Sequence, residues 1–372
     1  MNTVPRKSDL SNRFKFCFPS RELVFINIRS MKAAILYGKE DLRIERAQPR
    51  PLGPGEVRIQ VEAALTCGTD LKVFKRGYHA RMLVPPAPFG HELAGRVCEL
   101  GPSLNGGWAV GDRVVVANSA PCGHCPSCAN QQENLCDDLL FLNGAYAEMV
   151  SVPARLVEKN LLKLKAETDF RDAALVEPLA CVVQGIEDCR LKPGQNVLVI
   201  GAGPIGLMFL KLALDQGCFV TVAGRGERRL ETARRLGAHH VVTGTELGQS
   251  RSALSRGSAF DVVIEAVGKP ETWDLAVRLV RKGGTVNLFG GCPAGTSVSL
   301  DTSLMHYSSL NLCSSFHHTP GTVRKALARI EAGAIRSRDF VDGDCPLSEL
   351  PRLFRSMAEG NRFVKTLVRV RE

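Results

Sequence analysis

Four cysteines fall within fifteen positions of the segment PCGHCPSCANQQENLC, at Cys122, Cys125, Cys128 and Cys136. Thiols at that density either pair with one another or share a metal ion. The chain holds 13 cysteines, an odd number, and shows no secretory leader with an apolar core and small-residue cleavage pattern. Both features argue against a secreted disulfide framework and favour metal in a reducing compartment, the cytoplasm. The spacing C-x2-C-x2-C-x7-C lacks the paired, widely separated knuckles of a zinc ribbon, and no basic helix adjoins it. A disulfide knot, a nucleic-acid module and a metal clamp remain the competing readings of the spacing itself.

A second set of candidate ligands is scattered. Cys67 stands in LTCGTD, His91 and Glu92 in FGHELAG, and Glu177 in LVEPLA. Thiolate, imidazole and carboxylate drawn from separate loops suit a Zn²⁺ site that keeps one position open for water or substrate. Taken singly each residue is bland: a lone cysteine is usually core and a lone histidine a hydrogen-bonded polar group.

The third set is Gly201, Gly203 and Gly206, a G-x-G-x-x-G turn enclosing Pro204 and Ile205 and directly following NVLVI. The first glycine permits the tight turn and the second lets backbone approach a pyrophosphate. The third allows close helix–strand packing, with the helix N-terminus facing the negative charge. A dinucleotide is the ligand this context predicts. The acidic residue that grips a ribose 2′-hydroxyl would stand at Gly224. Arg225, Arg228 and Arg229 follow instead. A missing carboxylate and nearby guanidinium groups favour NADP over NAD. The bland alternative makes these arginines the solvated face of the next helix.

The elements that must carry these groups change rhythm along the chain. From residue 31 to about 155 the text is strand-rich, with EVRIQVEAAL, LAGRVCELG and DRVVVAN broken by PLGPGE and PPAPFG. DFRDAALVEPLACVVQGIEDCRL has helical spacing. Beyond it, continuous apolar strands (NVLVIGAG, CFVTVAG, HHVVTG, AFDVVIEAVG, GTVNLFGG and SLNLCSSF) alternate with helices, the pattern of a parallel sheet covered on both faces. The tail contributes TVRKALARIEAG, PLSELPRLFRSMAEG and the strand-like FVKTLVRV. The fold class is therefore α/β, a β-rich region followed by a doubly wound domain and a short return, with a ligand cleft between the two.

Composition adds bounds. The 372 residues are 44% hydrophobic and 23% charged, as in a globular chain, and no apolar run is long enough for a spanning helix. The net charge of +10 is uneven. Residues 1–30 lack periodicity and supply +4 of it, and MKAAILYG at Met31 reads like a natural start. An over-assigned start or disordered tail, an accessory element and a targeting segment are the three readings of that extension. The rest of the charge forms no basic block, so nucleic acid is not an expected partner.

In combination these fragments resemble the zinc-containing medium-chain dehydrogenase/reductase family, of the polyol (sorbitol/iditol) and threonine dehydrogenase kind. GHELAGRVCELG, VGDRV, GAGPIG, CPAGTSVSLD and FVKTLV stand in that family's order from Met31 to Glu372. The resemblance implies a GroES-like catalytic domain over 31–178, a Rossmann domain over 179–318 and a return over 319–372. It implies Cys67 and His91 as catalytic zinc ligands with Glu92 and Glu177 as exchanging carboxylates, and the four clustered cysteines as a structural zinc lobe. Thr69 would be the hydroxyl relay and Asp70 the carboxylate that orients His91. Lys72 stands where several relatives continue the relay with histidine; it contacts the cofactor or is solvated. Ala266, Val267 and Leu288 would line the cofactor cleft. Tyr78, His79 and His317 are candidates for contacting a polyhydroxylated substrate, and Cys98, Cys181, Cys189, Cys218, Cys292, Cys313 and Cys345 are expected in the core. The implied activity is oxidation of a polyol or secondary alcohol, with a threonine-type dehydrogenase or a non-catalytic dinucleotide-binding protein as alternatives. Two or four copies would assemble, in the cytoplasm and away from membranes.

Overall fold

The computed structural model describes residues 30–104, 106–247, 259–360 and 363–371. The extension singled out above lies outside them, Ser30 excepted. Among the described residues a six-stranded sheet runs in the order His240–Thr243, Phe219–Gly224, Asn196–Ile200, Phe260–Glu265, Val280–Leu288, Asn311–Cys313, and every pairing is parallel. Asn196–Ile200 is buried along its whole length, which is why it reads as an unbroken apolar run. The chain leaves this central strand through the glycine turn into the helix Pro204–Asp215, capped at Gly203. Strand order reverses there, and ligands of open α/β sheets bind at such a switch point.

A second sheet has the order Leu161–Lys163, Arg113–Val116, Glu92–Leu100, Val57–Leu65, Lys365–Arg369, Val341–Pro346, with Met149–Val152 also on Val57–Leu65. The register of its centre places the candidate site. Leu65 lies opposite Glu92 in an antiparallel pair, and Leu367 lies opposite Leu65 on the other flank. Cys67, His91 and Lys365 therefore emerge at one end of three adjacent strands, although nearly 300 residues separate the first from the last. The C-terminal segment thus returns to the sheet that carries Cys67 and His91. No apolar alternation marks Val341–Pro346; its parallel pairing with Lys365–Arg369 holds it in place.

The helix Val176–Cys189 packs between the sheets' core and the helices Pro204–Asp215 and Pro320–Glu331, with Leu179, Val182, Val183 and Ile186 buried. Full burial of such side chains contributes about 1.5–3 kcal/mol each. That anchoring fixes Glu177, in the first turn of the same helix, against the ends of the strands carrying Cys67 and His91.

Candidate functional site

The strand Val57–Leu65 runs through Thr66 to Cys67, which caps the helix Gly68–Arg76 in an extended conformation; its sulfur accepts from Thr69 N at 3.4 Å. Asp70, buried in the first turn of that helix, lies with Oδ1 2.8 Å from His91 Nδ1. Tyr146 donates its hydroxyl to the other oxygen of Asp70 and also reaches Leu65 O at 3.1 Å. Burial and Asp70 together hold the Tyr146 hydroxyl well above its ordinary range, so it remains a donor. Burial alone would lower the His91 pKa, but Asp70 and Cys67 together outweigh it and raise it well above its ordinary value. With Nδ1 held by Asp70, Nε2 is the nitrogen left for a metal, the usual arrangement of a ligating imidazole.

The ligand atoms of Cys67, His91 and Glu92 lie within 4.8 Å of one another. Glu92 is fully buried; one oxygen forms an ion pair with Lys365, whose ammonium also donates to Thr66 O at 2.9 Å. The other oxygen, Oε1, is buried without a hydrogen-bond partner. Burial pushes the Glu92 carboxyl up and Lys365 reverses this only in part; burial would lower Lys365, and Glu92 with Cys67 and Glu177 together more than reverse that. An orphaned buried oxygen beside a thiol and an oriented imidazole is what a divalent cation satisfies, so this residue set fits Zn²⁺.

Glu177 lies in the same pocket, close enough for His91 and Glu92 to act on its charge. Its carboxylate also lies within 4.8 Å of donor atoms of Cys181 and His317. Burial pushes it up to about 7, with Glu92 adding and His91 opposing. His317 Nε2 bonds Ser119 Oγ at 2.5 Å, and its ring lies 5.6 Å from that of Phe141. Burial, with His91 and Arg81 assisting, lowers the His317 pKa to about 3, so the imidazole is neutral at physiological pH. His79 is turned to its own loop, accepting from the amides of Arg81 and Met82, while Tyr78 is exposed.

In the four-cysteine lobe, sulfur separations of 3.5 Å (Cys125–Cys128), 3.9 Å (Cys125–Cys136) and 4.0 Å (Cys122–Cys128) are recorded. These exceed a disulfide bond of about 2.05 Å and match the ~3.8 Å edge of a tetrahedron with Zn–S bonds of ~2.3 Å. Amides of Asp137 and Cys128 lower Cys125 to about 6, while burial and the neighbouring Cys125 push Cys128 up to about 12. Four thiolates cannot share this volume without a cation, and the set fits zinc. Asn134 Nδ2 donates to Phe316 O at 2.9 Å, which ties the lobe to the loop carrying His317, and Arg81 donates to Cys136 O at 3.2 Å, which ties it to the segment after the helix Gly68–Arg76.

At the glycine turn, Gly201 has φ +122°, and a Cβ there would meet Ala266 O and Val267 Cγ2, each at 3.1 Å. A Cβ on Gly206 would sit 1.7 Å from Gly201 O. A Cβ on Gly203 would meet no protein atom, so the space above it is open for a ligand. Pro204 and Ile205 open the helix behind it. Gly224 lies so close to Ala202 that a Cβ would come within 2.5 Å of it, which is why no acidic side chain extends there. Arg225 is exposed and pairs with no group among the described residues, whereas Arg228 pairs with Asp342 at 3.6 Å over the Phe363 ring and Arg229 donates to Phe363 O at 3.0 Å. Leu288 faces a small apolar hollow with Trp273 and Val298. A cleft of about 300 Å³ opens between Lys72, Lys75 and Arg76 on one side and Gly268, Gly291 and Cys292 on the other, and Lys72 Nζ crosses it to Gly291 O at 3.4 Å. Of the thiols expected in the core, Cys189, Cys218 and Cys345 are buried; Cys98, Cys181, Cys292 and Cys313 are only partly so.

The family model "Alcohol dehydrogenase GroES-like domain" matches residues 53–163, and "Zinc-binding dehydrogenase" matches residues 204–332. D-altritol 5-dehydrogenase of Agrobacterium fabrum is 35% identical over 82% of this chain and 89% of its own. The chain belongs to the zinc-type alcohol dehydrogenase family. L-threonine 3-dehydrogenase of Pyrococcus abyssi is 32% identical over 74% of this chain and 79% of its own. A solved zinc-binding dehydrogenase from Sinorhizobium meliloti 1021, bound to NADP, superposes with a TM-score of 0.83 at 29% identity, covering 91% of this chain and 99% of the other. For this dehydrogenase the fold is accordingly a GroES-like region joined to a Rossmann-type parallel sheet. No helix among the described residues is long and apolar enough to cross a membrane.

Proposed function

We propose that this protein is a zinc-dependent, NAD(P)-linked dehydrogenase that reversibly oxidises a polyol or secondary alcohol to a ketone, with NADP favoured. The observation that carries the proposal is the unpartnered Glu92 Oε1 beside Cys67 Sγ and an imidazole oriented by Asp70. Cys67, His91 and Glu92 would hold zinc, which would supply Lewis-acid polarisation of the substrate hydroxyl, and a nicotinamide bound in the adjoining cleft would supply the hydride acceptor. Asp70 and Tyr146 keep His91 in one tautomer and rotamer. Lys365 balances the charge of Glu92 so that carboxylate and thiolate coexist in a buried pocket. The Thr69 hydroxyl, two residues beyond Cys67, takes up the substrate proton. Lys72, spanning the cleft to Gly291, would contact the cofactor, and the open backbone at Gly203 with the start of the helix Pro204–Asp215 would hold its pyrophosphate. Arg225 is the group available for a 2′-phosphate, and the NADP-bound neighbour supports that preference. His317, neutral and braced by Ser119, orients a substrate hydroxyl.

In this reading the catalytic region spans 31–178 with its return at 319–372, and the cofactor region spans 179–318. Zinc occupies two positions per chain, one in the catalytic trio and one in the four-cysteine lobe, and the enzyme works in the cytoplasm as a dimer or tetramer. The altritol relative supports a polyol substrate, and the threonine relative supports an amino-alcohol as the second reading. A panel of polyols, secondary alcohols and L-threonine, assayed with NAD⁺ and NADP⁺, separates the two. Turnover of a polyol or secondary alcohol supports the first, and L-threonine as the sole good substrate overturns it.

A further inference from the structure

The parallel sheet divides at Asn196–Ile200, and a dinucleotide on such a sheet lies across the crevice with one mononucleotide over each half. The ribose position at Gly224 puts the adenosine half on the side of Phe219–Gly224. The nicotinamide half then falls over the ends of Phe260–Glu265 and Val280–Leu288. One side chain joins those two ends. Glu265, the last residue of its strand, is fully buried. Its Oε1 accepts from Val267 N at 2.8 Å, Gly268 N at 2.9 Å and Thr272 Oγ1 at 2.8 Å. Its main-chain oxygen accepts from Phe289 N at 3.0 Å and Gly290 N at 2.8 Å, so a single residue fastens both turns. A Cβ on Gly290 would come within 2.6 Å of Glu265 Oε2, which shows how closely the second turn is packed on the carboxylate. Trp273 Nε1 donates to Gly290 O at 2.9 Å and ties that turn to the helix Pro270–Leu279. The lip so formed carries Val267, beside Gly201, and Gly291, which Lys72 reaches at 3.4 Å. Burial raises the Glu265 pKa, and Thr272 with the Gly268 and Val267 amides opposes that rise.

We propose that Glu265 is a positioning residue for the nicotinamide half of the cofactor. It holds the Ala266–Gly268 and Phe289–Gly291 turns as one rigid lip before the cofactor arrives. A surface set in advance spares the ligand the cost of ordering it. The proposal rests on the dinucleotide reading of the glycine turn, and it gives Glu265 no contact with substrate or reacting atoms.

The test divides the cofactor. Calorimetry on the full, zinc-loaded chain measures the affinity for NADPH and for its adenosine fragment, 2′,5′-ADP, with NADH and 5′-AMP as a parallel pair. Glu265→Gln sets an amide against the converging N–H groups. Thr272→Val removes one donor, and Thr272→Ser keeps the hydroxyl. The proposal expects NADPH to bind about tenfold more weakly in Glu265→Gln and by a smaller factor in Thr272→Val, while 2′,5′-ADP binds every variant as it binds the natural chain. Thr272→Ser should hold NADPH as the natural chain does. A brace that serves the fold alone lowers the thermal midpoint and weakens dinucleotide and fragment together. Equal losses for the two ligands, or undiminished NADPH binding in Glu265→Gln and Thr272→Val, overturn the proposal. Should Glu265→Gln not fold, the two Thr272 variants decide it by the same split. A natural chain that binds neither nicotinamide dinucleotide overturns the cofactor reading itself; one that binds NADPH without the split overturns only the role of Glu265.

Discussion

His91 Nδ1 and Asp70 Oδ1 are 2.8 Å apart, both buried, and Asp70 also accepts from Tyr146. The pair is assembled by strand register: His91 immediately precedes Glu92, which faces Leu65, and Asp70 lies one helical turn beyond Cys67. Asp70→Asn keeps the shape but removes the charge that orients and polarises the imidazole. Metal affinity should fall about 10–100-fold, the loss typical of such outer partners. Competition with a chelator, followed by metal analysis, measures it; unchanged retention contradicts the orienting role.

The buried Lys365–Glu92 ion pair joins the last strand to the metal trio. Lys365→Met strands a buried carboxylate and should cost about 3–5 kcal/mol of stability. Combining it with Glu92→Gln should recover most of that loss, because no charge is then left without a partner. Denaturant midpoints of the single and double variants test this, and additive losses would argue that the two groups do not interact.

The four-cysteine lobe performs no chemistry in this account but braces the loop that carries His317 through Asn134, while Arg81 fastens it to the segment after the helix Gly68–Arg76. Cys125→Ser should remove one zinc per chain and lower the thermal midpoint, with a rise in KM exceeding any fall in kcat. Retained zinc and retained thermal stability would contradict the clamp.

Arg225 is the one arginine of its group not engaged by Asp342 or Phe363. Arg225→Ala should weaken NADPH by about tenfold, from loss of a charge-assisted contact, and leave NADH nearly unchanged. Titration of both nucleotides by fluorescence decides it, and an equal effect on the two would falsify the 2′-phosphate reading.

Much of this arrangement was legible from local pattern. The central strands Asn196–Ile200, Phe219–Gly224 and Phe260–Glu265 coincide with apolar runs because burial on both faces demands them, and the glycine turn lies between strand and helix because steric crowding at Gly206 admits no side chain. The sulfur cluster was equally plain. Long-range partnerships were not. Nothing in FVKTLV announces that Lys365 will neutralise Glu92, since the pairing follows from a strand register set by residues nearly 300 positions apart. Arg228 and Arg229 look like candidates for a phosphate until Asp342 and Phe363 are brought against them. Cys181 read as core because its relation to Glu177 gains meaning only when His317 arrives from another element. The helix Gly68–Arg76 was hidden as well. Its first turn is stabilised by the Cys67 cap, and its apolar face (Leu71, Val73 and Phe74) is too short to show a clear period.

The central claim is that Cys67, His91 and Glu92 hold a zinc ion on which alcohol oxidation depends. Its most direct test measures zinc per chain and NADP⁺-linked alcohol oxidation together, in the natural protein and in Cys67→Ser. The account predicts two zinc ions and activity in the first, and one zinc ion, an intact lobe and no activity in the second. A Cys67→Ser protein that keeps both its second zinc and its turnover would contradict it.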